Sequence, residues 1–347
     1  MQHTIAIDAM GGDHAPQVVI AGTAMAHARH RDLRFLLFGD EAAIAPLVQA
    51  RTGLGRQVEI VHTPDRVEPG DKPSQVLRHG RKTSMGLAIE AVKDGRADAV
   101  VSAGNTGALM ALSKFVLKTL PGIERPAIGS LMPTKRRETV FLDLGANAEC
   151  DAENLVQFAV MGEVFAREVL GIEKPTVGLL NIGTEDLKGN ETIRQAAAAL
   201  RESSLPIEFR GFVEGTDLTN GTTDVVVTDG FTGNVALKVA EGTAGLYTHF
   251  LRQAFRSSYL SKLGYVMARG ALDRLRQRLD PRRYNGAMFL GLNGVVVKSH
   301  GGTDALGFAN AINVAVGLVQ QGTNERITAE LNKLEDEVIR SLKARAC

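Results

Sequence analysis

The stretch Thr4-Ile-Ala-Ile-Asp-Ala-Met-Gly-Gly-Asp-His-Ala-Pro16 decides how the chain begins to fold. Thr4–Asp8 is a short apolar run with β-branched residues, bounded by glycines and too short for a helix, so it reads as a buried strand. From Pro16 to Arg29 the apolar spacing changes to that of a helix. A strand that ends in an acid, passes two glycines and enters a helix is the opening of a βαβ unit. Its polar loop lies at the carboxyl end of the strand, where open α/β sheets bind ligands.

The same rhythm recurs downstream. Strand-like runs are read at Phe35–Phe38, Val58–His62, Ala99–Ser102, Val140–Asp143, Val177–Ile182, Ile207–Val213 and Val225–Thr228. Amphipathic stretches at Asp40–Ala50, Ser84–Asp94, Thr106–Leu117, Asn154–Leu170 and Glu191–Ser203 separate most of them. This alternation predicts parallel pairing through right-handed crossovers with helices on both faces. The expected fold is a three-layer α/β/α, Rossmann-like sandwich with a mostly parallel sheet. No repeat or Pro/Ser-rich linker marks a boundary, so residues 1–347 read as one large domain.

Composition narrows the function. Apolar residues are 44% and charged residues 23% of the 347, which excludes a disordered or fibrous chain. With no Trp and only 4 Tyr there is little to stack bases on, and 40 basic residues against 39 acidic create no global field. No nucleic-acid partner is expected. Cys150 and Cys347 are too few for a disulfide framework or a zinc site, which suits a reducing compartment. The N-terminus lacks the basic and apolar regions of a signal peptide. The uncharged run Ala305–Asn324 contains Asn310, Asn313, Gln320 and Gln321, and reads as a buried helix rather than a membrane span. A cytoplasmic, soluble protein is expected.

Five strand ends carry polar residues and glycine: Asp8 into Gly11-Gly-Asp13-His14, Ser102 into Gly104-Asn-Thr-Gly107, Asp143 into Gly145-Ala-Asn147, Asn181 into Gly183-Thr-Glu185, and Asp229 into Gly230-Phe-Thr-Gly-Asn234. Turn chemistry alone explains any one of them. Five in one sheet predict a single shared crevice. Two of these loops open helices whose first amides and dipole suit an anion, with Asn105 or Thr106 as cap, and Lys188 is a candidate counter-charge. The Walker loop, the Gly-x-Gly-x-x-Gly fingerprint, the Gly-x-Ser-x-Gly elbow and the His-Glu-x-x-His helix are all missing from the sequence. Asp8, Asp13, His14, Asp143 and Asp229 could gather around magnesium, but turn roles explain acids at strand ends equally well, and no metal is assigned.

One segment breaks the pattern. Arg252 to Arg283 holds nine basic and two acidic residues, leaving 31 and 37 elsewhere. Tyr259, Leu260, Leu263, Tyr265 and Val266 sit among the charges beside Lys262. A solvated face accounts for many charge runs, but interleaved apolar residues also suit a docking surface. Residues 240–285 are expected to project as a basic helical pair for contact with a second copy, a carrier protein or a membrane.

Taken in order, Asp8-Ala-Met-Gly-Gly-Asp-His-Ala-Pro16, Ser102-Ala-Gly-Asn-Thr-Gly-Ala108, Leu142-Asp-Leu-Gly-Ala-Asn147, Asp229-Gly-Phe-Thr-Gly-Asn234 and Lys298-Ser-His-Gly301 resemble the bacterial phosphate acyltransferases of phospholipid synthesis. Gly122-Ile-Glu-Arg-Pro126 and Tyr284-Asn-Gly-Ala287 agree with that resemblance. Ala148-Glu-Cys150 stands where Val-Asp-Cys is expected. Thr228 replaces a Cys frequent in the family, so no thiol nucleophile exists there. The resemblance implies a dimeric α/β/α enzyme without cofactor that moves a fatty acyl group from acyl carrier protein to inorganic phosphate. The acyl phosphate would feed a membrane glycerol-3-phosphate acyltransferase, and the enzyme would attach peripherally to the anionic inner face of the cytoplasmic membrane. Coenzyme A thioesters are the alternative donors. On this reading Lys188 and Asn234 stabilise the reacting centre, and His14 is a possible acid toward the thiol. Asp8 and Asp13 order their loop. Gly104, Asn105, Thr106 and Gly107 cradle phosphate, with Asp229, Thr232 and Gly233 completing the substrate site.

Overall fold

The computed structural model describes residues 2–203 and 207–334. Cys347 lies outside them. The strands are β1 (Thr4–Asp8), β2 (Arg34–Gly39), β3 (Val58–His62), β4 (Ala99–Ser102), β5 (Ala127–Pro133), β6 (Glu138–Leu142), β7 (Thr176–Leu180), β8 (Glu208–Val213), β9 (Val225–Val227), β10 (Ala287–Leu290) and β11 (Val295–Lys298). The α-helices are α1 (Gln17–Arg29), α2 (Glu41–Gln49), α3 (Pro73–His79), α4 (Ser84–Lys93), α5 (Thr106–Leu117), α6 (Ala152–Leu170), α7 (Glu191–Glu202), α8 (Asp217–Asn220), α9 (Gly230–Arg256), α10 (Tyr259–Leu279), α11 (Ala305–Gln320) and α12 (Thr323–Leu334).

All eight strands read from the sequence are present. They join one sheet in the order β3-β2-β1-β4-β11-β10-β5-β6-β9-β7-β8, with helices over both faces. β4 and β9 are buried along their whole length, as expected of interior parallel strands covered on both sides. The sheet is mostly parallel, but not all its parallel strands point one way. β3, β2, β1, β4 and β11 run together, and so do β6, β9, β7 and β8. Between these blocks β11 pairs antiparallel with β10, β10 with β5, and β5 with β6. Three reversals leave the two blocks antiparallel to each other.

The uncharged run forms α11, which buries Phe308, Ala311, Ile312 and Ala315. It packs against α1 at Gly22, where a β-carbon would stand 2.8 Å from both Ala305 O and Phe308 Cβ. Glycine sets the closeness of that helix pair. Among the described residues, no helix is long and apolar enough to cross a membrane.

The basic segment is helical as expected. α9 starts on the sheet, where Ala236, Leu237 and Ala240 pack against the core, and then runs outward. Ser258 caps α10 by accepting a hydrogen bond from the Ser261 amide at 3.0 Å. α10 returns beside α9 and buries none of its residues.

Candidate active site

The direction of the strands splits the expected crevice in two. Asp8 and Ser102 leave β1 and β4 at one edge of the sheet. Asp143, Asn181 and Asp229 follow β6, β7 and β9 at the opposite edge. A single rim shared by all five loops is therefore not what the chain forms. The expectation assumed that every strand runs the same way, and the hairpin β5–β6 with the antiparallel β10 reverses half of them. Each half has its own switch point, between β1 and β4 and between β7 and β9, where chain connections diverge, the kind of place at which open α/β sheets bind ligands.

The first rim is closely knit. Asp8 is buried and accepts hydrogen bonds from Ser84 Oγ at 2.6 Å and Ser102 Oγ at 2.7 Å. Burial lifts its carboxyl above the ordinary range, against those hydroxyls, the Met10 amide and the charge of Lys298. Lys298 is buried too, donating to the carbonyls of Ala103 and Ser299. Its burial lowers the ammonium pKa to about 8, while the Asp8 and Asp13 carboxylates pull it upward. Asp8 thus ties β1, α4 and β4 together, and Lys298 adds β11. Asn105 is the cap of α5, accepting from the Ala108 amide at 3.0 Å, and its Nδ2 is held by the carbonyls of Pro69 and Asp71. Its side chain is spent on structure rather than free for phosphate. Asp13, His14, Thr106 and Gly107 are exposed on this rim, with Gly104 half-buried among them. None of them meets Lys188 or Asn234 within one chain, and the four acids and one histidine considered for magnesium do not converge.

The second rim is built around Asp143. Its buried carboxylate accepts hydrogen bonds from the amides of Ile128 (2.9 Å), Gly145 (3.2 Å), Ala146 (3.1 Å) and Asn147 (2.8 Å), and from Asn147 Nδ2 (2.9 Å). Burial raises its pKa, and these donors oppose the rise. The carboxylate folds the 143–147 loop against the start of α9, where a β-carbon on Gly233 would stand 1.9 Å from Asp143 O. Gly230 closes the junction by donating to Asn147 O at 2.7 Å. Asp229 caps α9, taking the Thr232 amide on Oδ1 at 2.8 Å and the Thr232 hydroxyl on Oδ2 at 2.7 Å. Asp229, Thr232 and Gly233 therefore shape the helix start. Cys150 sits behind the loop; burial and the neighbouring Asp143 charge push its thiol up to about 12, which leaves it a poor nucleophile.

Asn234 faces outward from the first turn of α9. A β-carbon on Gly145 would stand 3.1 Å from Asn234 Nδ2, a tight contact, and the φ of 129° at this position favours glycine. A cavity of about 580 Å³ opens here, lined by Gly145, Ala148, Phe231, Asn234, Val235 and Val239 among others. Lys188 stands after β7, the strand next to β9, with its ammonium exposed and unpaired among the described residues. The structure thus puts Lys188 and Asn234 on one rim. Sequence reading missed Asp143 as the organiser, although its motif had been noted, and missed the apolar wall of the cavity.

The sequence profile of the family described as "Fatty acid synthesis protein" matches residues 3–326. The chain belongs to that family. A member called phosphate acyltransferase from Paramagnetospirillum magneticum is 61% identical over 332 residues, covering 96% of this chain and 95% of that one. Its namesake in Rhodospirillum rubrum is 62% identical over 331 residues, covering 95% of each. Among solved structures, a phosphotransacetylase from Streptococcus pyogenes superposes with a TM-score of 0.60 at 17% identity, covering 92% of this chain and 94% of the other. The EutD phosphotransacetylase of Staphylococcus aureus gives 0.59 at 17% identity over the same shares. These likenesses establish the α/β fold and the membership expected from the motifs.

Proposed function

We propose that this member of the family transfers a fatty acyl group from acyl carrier protein to inorganic phosphate, and that it does so at the second rim. Acyl transfer to phosphate in fatty acid and phospholipid synthesis is the activity its family membership carries. The observation that supports this placement is the cavity where Asn234 and the Gly145 loop meet, with Lys188 beyond the neighbouring strand.

The chemistry asks little of the protein. A phosphate dianion is already an unprotonated nucleophile near neutral pH, and a thiolate leaves a thioester readily. What remains is to hold the two together and to offset charge. The positive end of the α9 dipole faces this rim, while the Gly230 and Thr232 amides are already held by Asn147 and Asp229. The Lys188 ammonium supplies the formal charge. The Asn234 carboxamide can donate to the oxygen on which negative charge grows, and orienting the two reactants replaces a bimolecular encounter. The thiolate departs as such, so no acid is assigned to it and His14 has no part in this centre. Acyl carrier protein as donor, a membrane glycerol-3-phosphate acyltransferase as consumer of the product, and a homodimer belong to the same proposal.

The test mixes purified protein, acyl carrier protein thioester and phosphate, and traps product with hydroxylamine. Hydroxamate that forms only when both phosphate and protein are present supports the reading. Turnover with coenzyme A thioesters but not with the carrier-protein thioester replaces the donor. No hydroxamate from either overturns it.

A further inference from the structure

The cavity beside Asn234 continues into a strip along α9. Phe231, Val235 and Val239 line it and are 68%, 50% and 63% exposed. Gly242, Leu246 and Phe250 extend the same line. Spacings of four, four, three, four and four residues put all six on one helix face. At about 1.5 Å per residue the part inside the cavity spans roughly 12 Å. A contiguous exposed apolar strip that starts in a cavity calls for an occupant.

We infer that this strip is the acyl-chain subsite: the fatty chain of the thioester lies along Phe231, Val235 and Val239, with its carbonyl at Asn234 and its tail toward the helical arm. The inference rests on the acyl-transfer reading of the cavity. Three features select an alkyl chain. The strip begins at the group placed to face the carbonyl. It is narrow, with Asn234 and Lys238 on one flank and Thr232 and Thr243 on the other, and Lys238 is tied to Glu241 at 2.8 Å. Beyond the first turn, from Val235 onward, the backbone groups are hydrogen-bonded within the helix, so this part of the face offers no partners to an extended peptide, whose own amides need them; a hydrocarbon needs none. The cavity volume falls within the roughly 300–1,000 Å³ usual for small-molecule sites with apolar walls and few polar groups.

The experiment measures binding of ethyl, hexyl and dodecyl phosphate to the full chain by calorimetry, for the wild type and for Val235→Asp and Val239→Asp. Affinity in the wild type should rise with chain length, by up to about fourfold per methylene buried. In the variants that dependence should flatten, so that the dodecyl-to-ethyl affinity ratio falls at least tenfold. Equal chain-length dependence in wild type and variants overturns the subsite, as does affinity indifferent to chain length in the wild type. Sedimentation equilibrium on the same samples covers the rival occupant: if the variants lose a dimer that the wild type forms and keep their chain-length dependence, a second copy covers the strip. The hydroxylamine assay separates the two levels. Wild-type hydroxamate without chain-length dependence sinks the subsite alone, and no hydroxamate sinks the acyl-transfer reading and the subsite with it.

Discussion

Asn234 and Lys188 are exposed side chains whose terminal groups make no hydrogen bond among the described residues, so their removal should cost chemistry and not folding. Asn234→Ala should lower kcat about 10²–10³-fold, the usual effect of deleting an oxyanion donor, and Lys188→Ala should act in the same direction. Thermal melting of both variants should match the wild type; wild-type kcat in either removes that residue from the site. Asp143, Asp229 and Asn105 teach the converse. Each was legible as a polar residue at a strand end. Whether such a residue faces a ligand or is consumed by backbone amides depends on where the next loop folds. For Asp143 four donors come from its own loop and one from Ile128 of β5, and for Asn105 and Asp229 the partner is the helix each one caps. That information is three-dimensional and has no local sequence signature.

Elements were more legible than residues, because periodicity and length are local properties. The strands that escaped notice, β5, β10 and β11, have reasons: Ala127–Pro133 carries Gly129, Ser130 and a terminal Pro, and Ala287–Leu290 and Val295–Lys298 are only four residues long. α12 shows what an element adds that a pattern does not reveal. It docks on α6 through a half-buried charge cluster in which Arg167 meets Glu163 at 2.8 Å, Glu168 at 3.1 Å and Glu330 at 3.3 Å, while Arg326 meets Glu168 at 2.7 Å. Burial raises Glu163 to about 7; Arg167 opposes this, and the Glu330 and Glu168 carboxylates reinforce it. An acid whose folded pKa lies above its ordinary 4.5 keeps a proton that the unfolded chain has lost. Between about 4.5 and 7 the native state therefore binds more protons, and this group's contribution to stability falls as pH rises through that window. Glu163→Gln should remove that slope and be more stable relative to wild type at pH 8 than at pH 5. Urea unfolding at the two pH values reads the difference, and parallel pH dependence in both proteins would show that Glu163 is ionised throughout.

At the scale of the molecule, the alternation of elements predicted one mostly parallel sheet, and that is what forms. The sense of its two halves was not predictable, since it depends on the central strands β5 and β10, which the sequence pattern does not reveal. One consequence is a molecule with two loop rims at opposite edges of its sheet and a helical arm whose charge neither rim uses. On α10, Tyr259, Leu260, Leu263 and Val266 are exposed, and Lys262 lies over the Tyr259 ring at 5.2 Å. Tyr265 departs from the expected contact set: it turns inward and meets Phe255 of α9 edge-on at 5.4 Å. An exposed apolar tip amid nine basic residues between Arg252 and Arg283 has the composition that attaches reversibly to an anionic bilayer. Each Lys or Arg near such a surface contributes about 1 kcal/mol, and the attraction decays within a Debye length of about 8 Å at physiological salt. The protein should therefore sediment with vesicles containing anionic lipid, stay in the supernatant with neutral ones, and be released by raising salt. Leu260→Glu together with Leu263→Glu removes apolar contact and adds two negative charges, so it should abolish sedimentation while acyl phosphate formation with soluble donors persists. If the double variant sediments like the wild type, the arm is not a membrane anchor, and its basic face is left for the acidic carrier protein or a second copy. A loss of turnover with the carrier-protein thioester alone would point to the carrier protein.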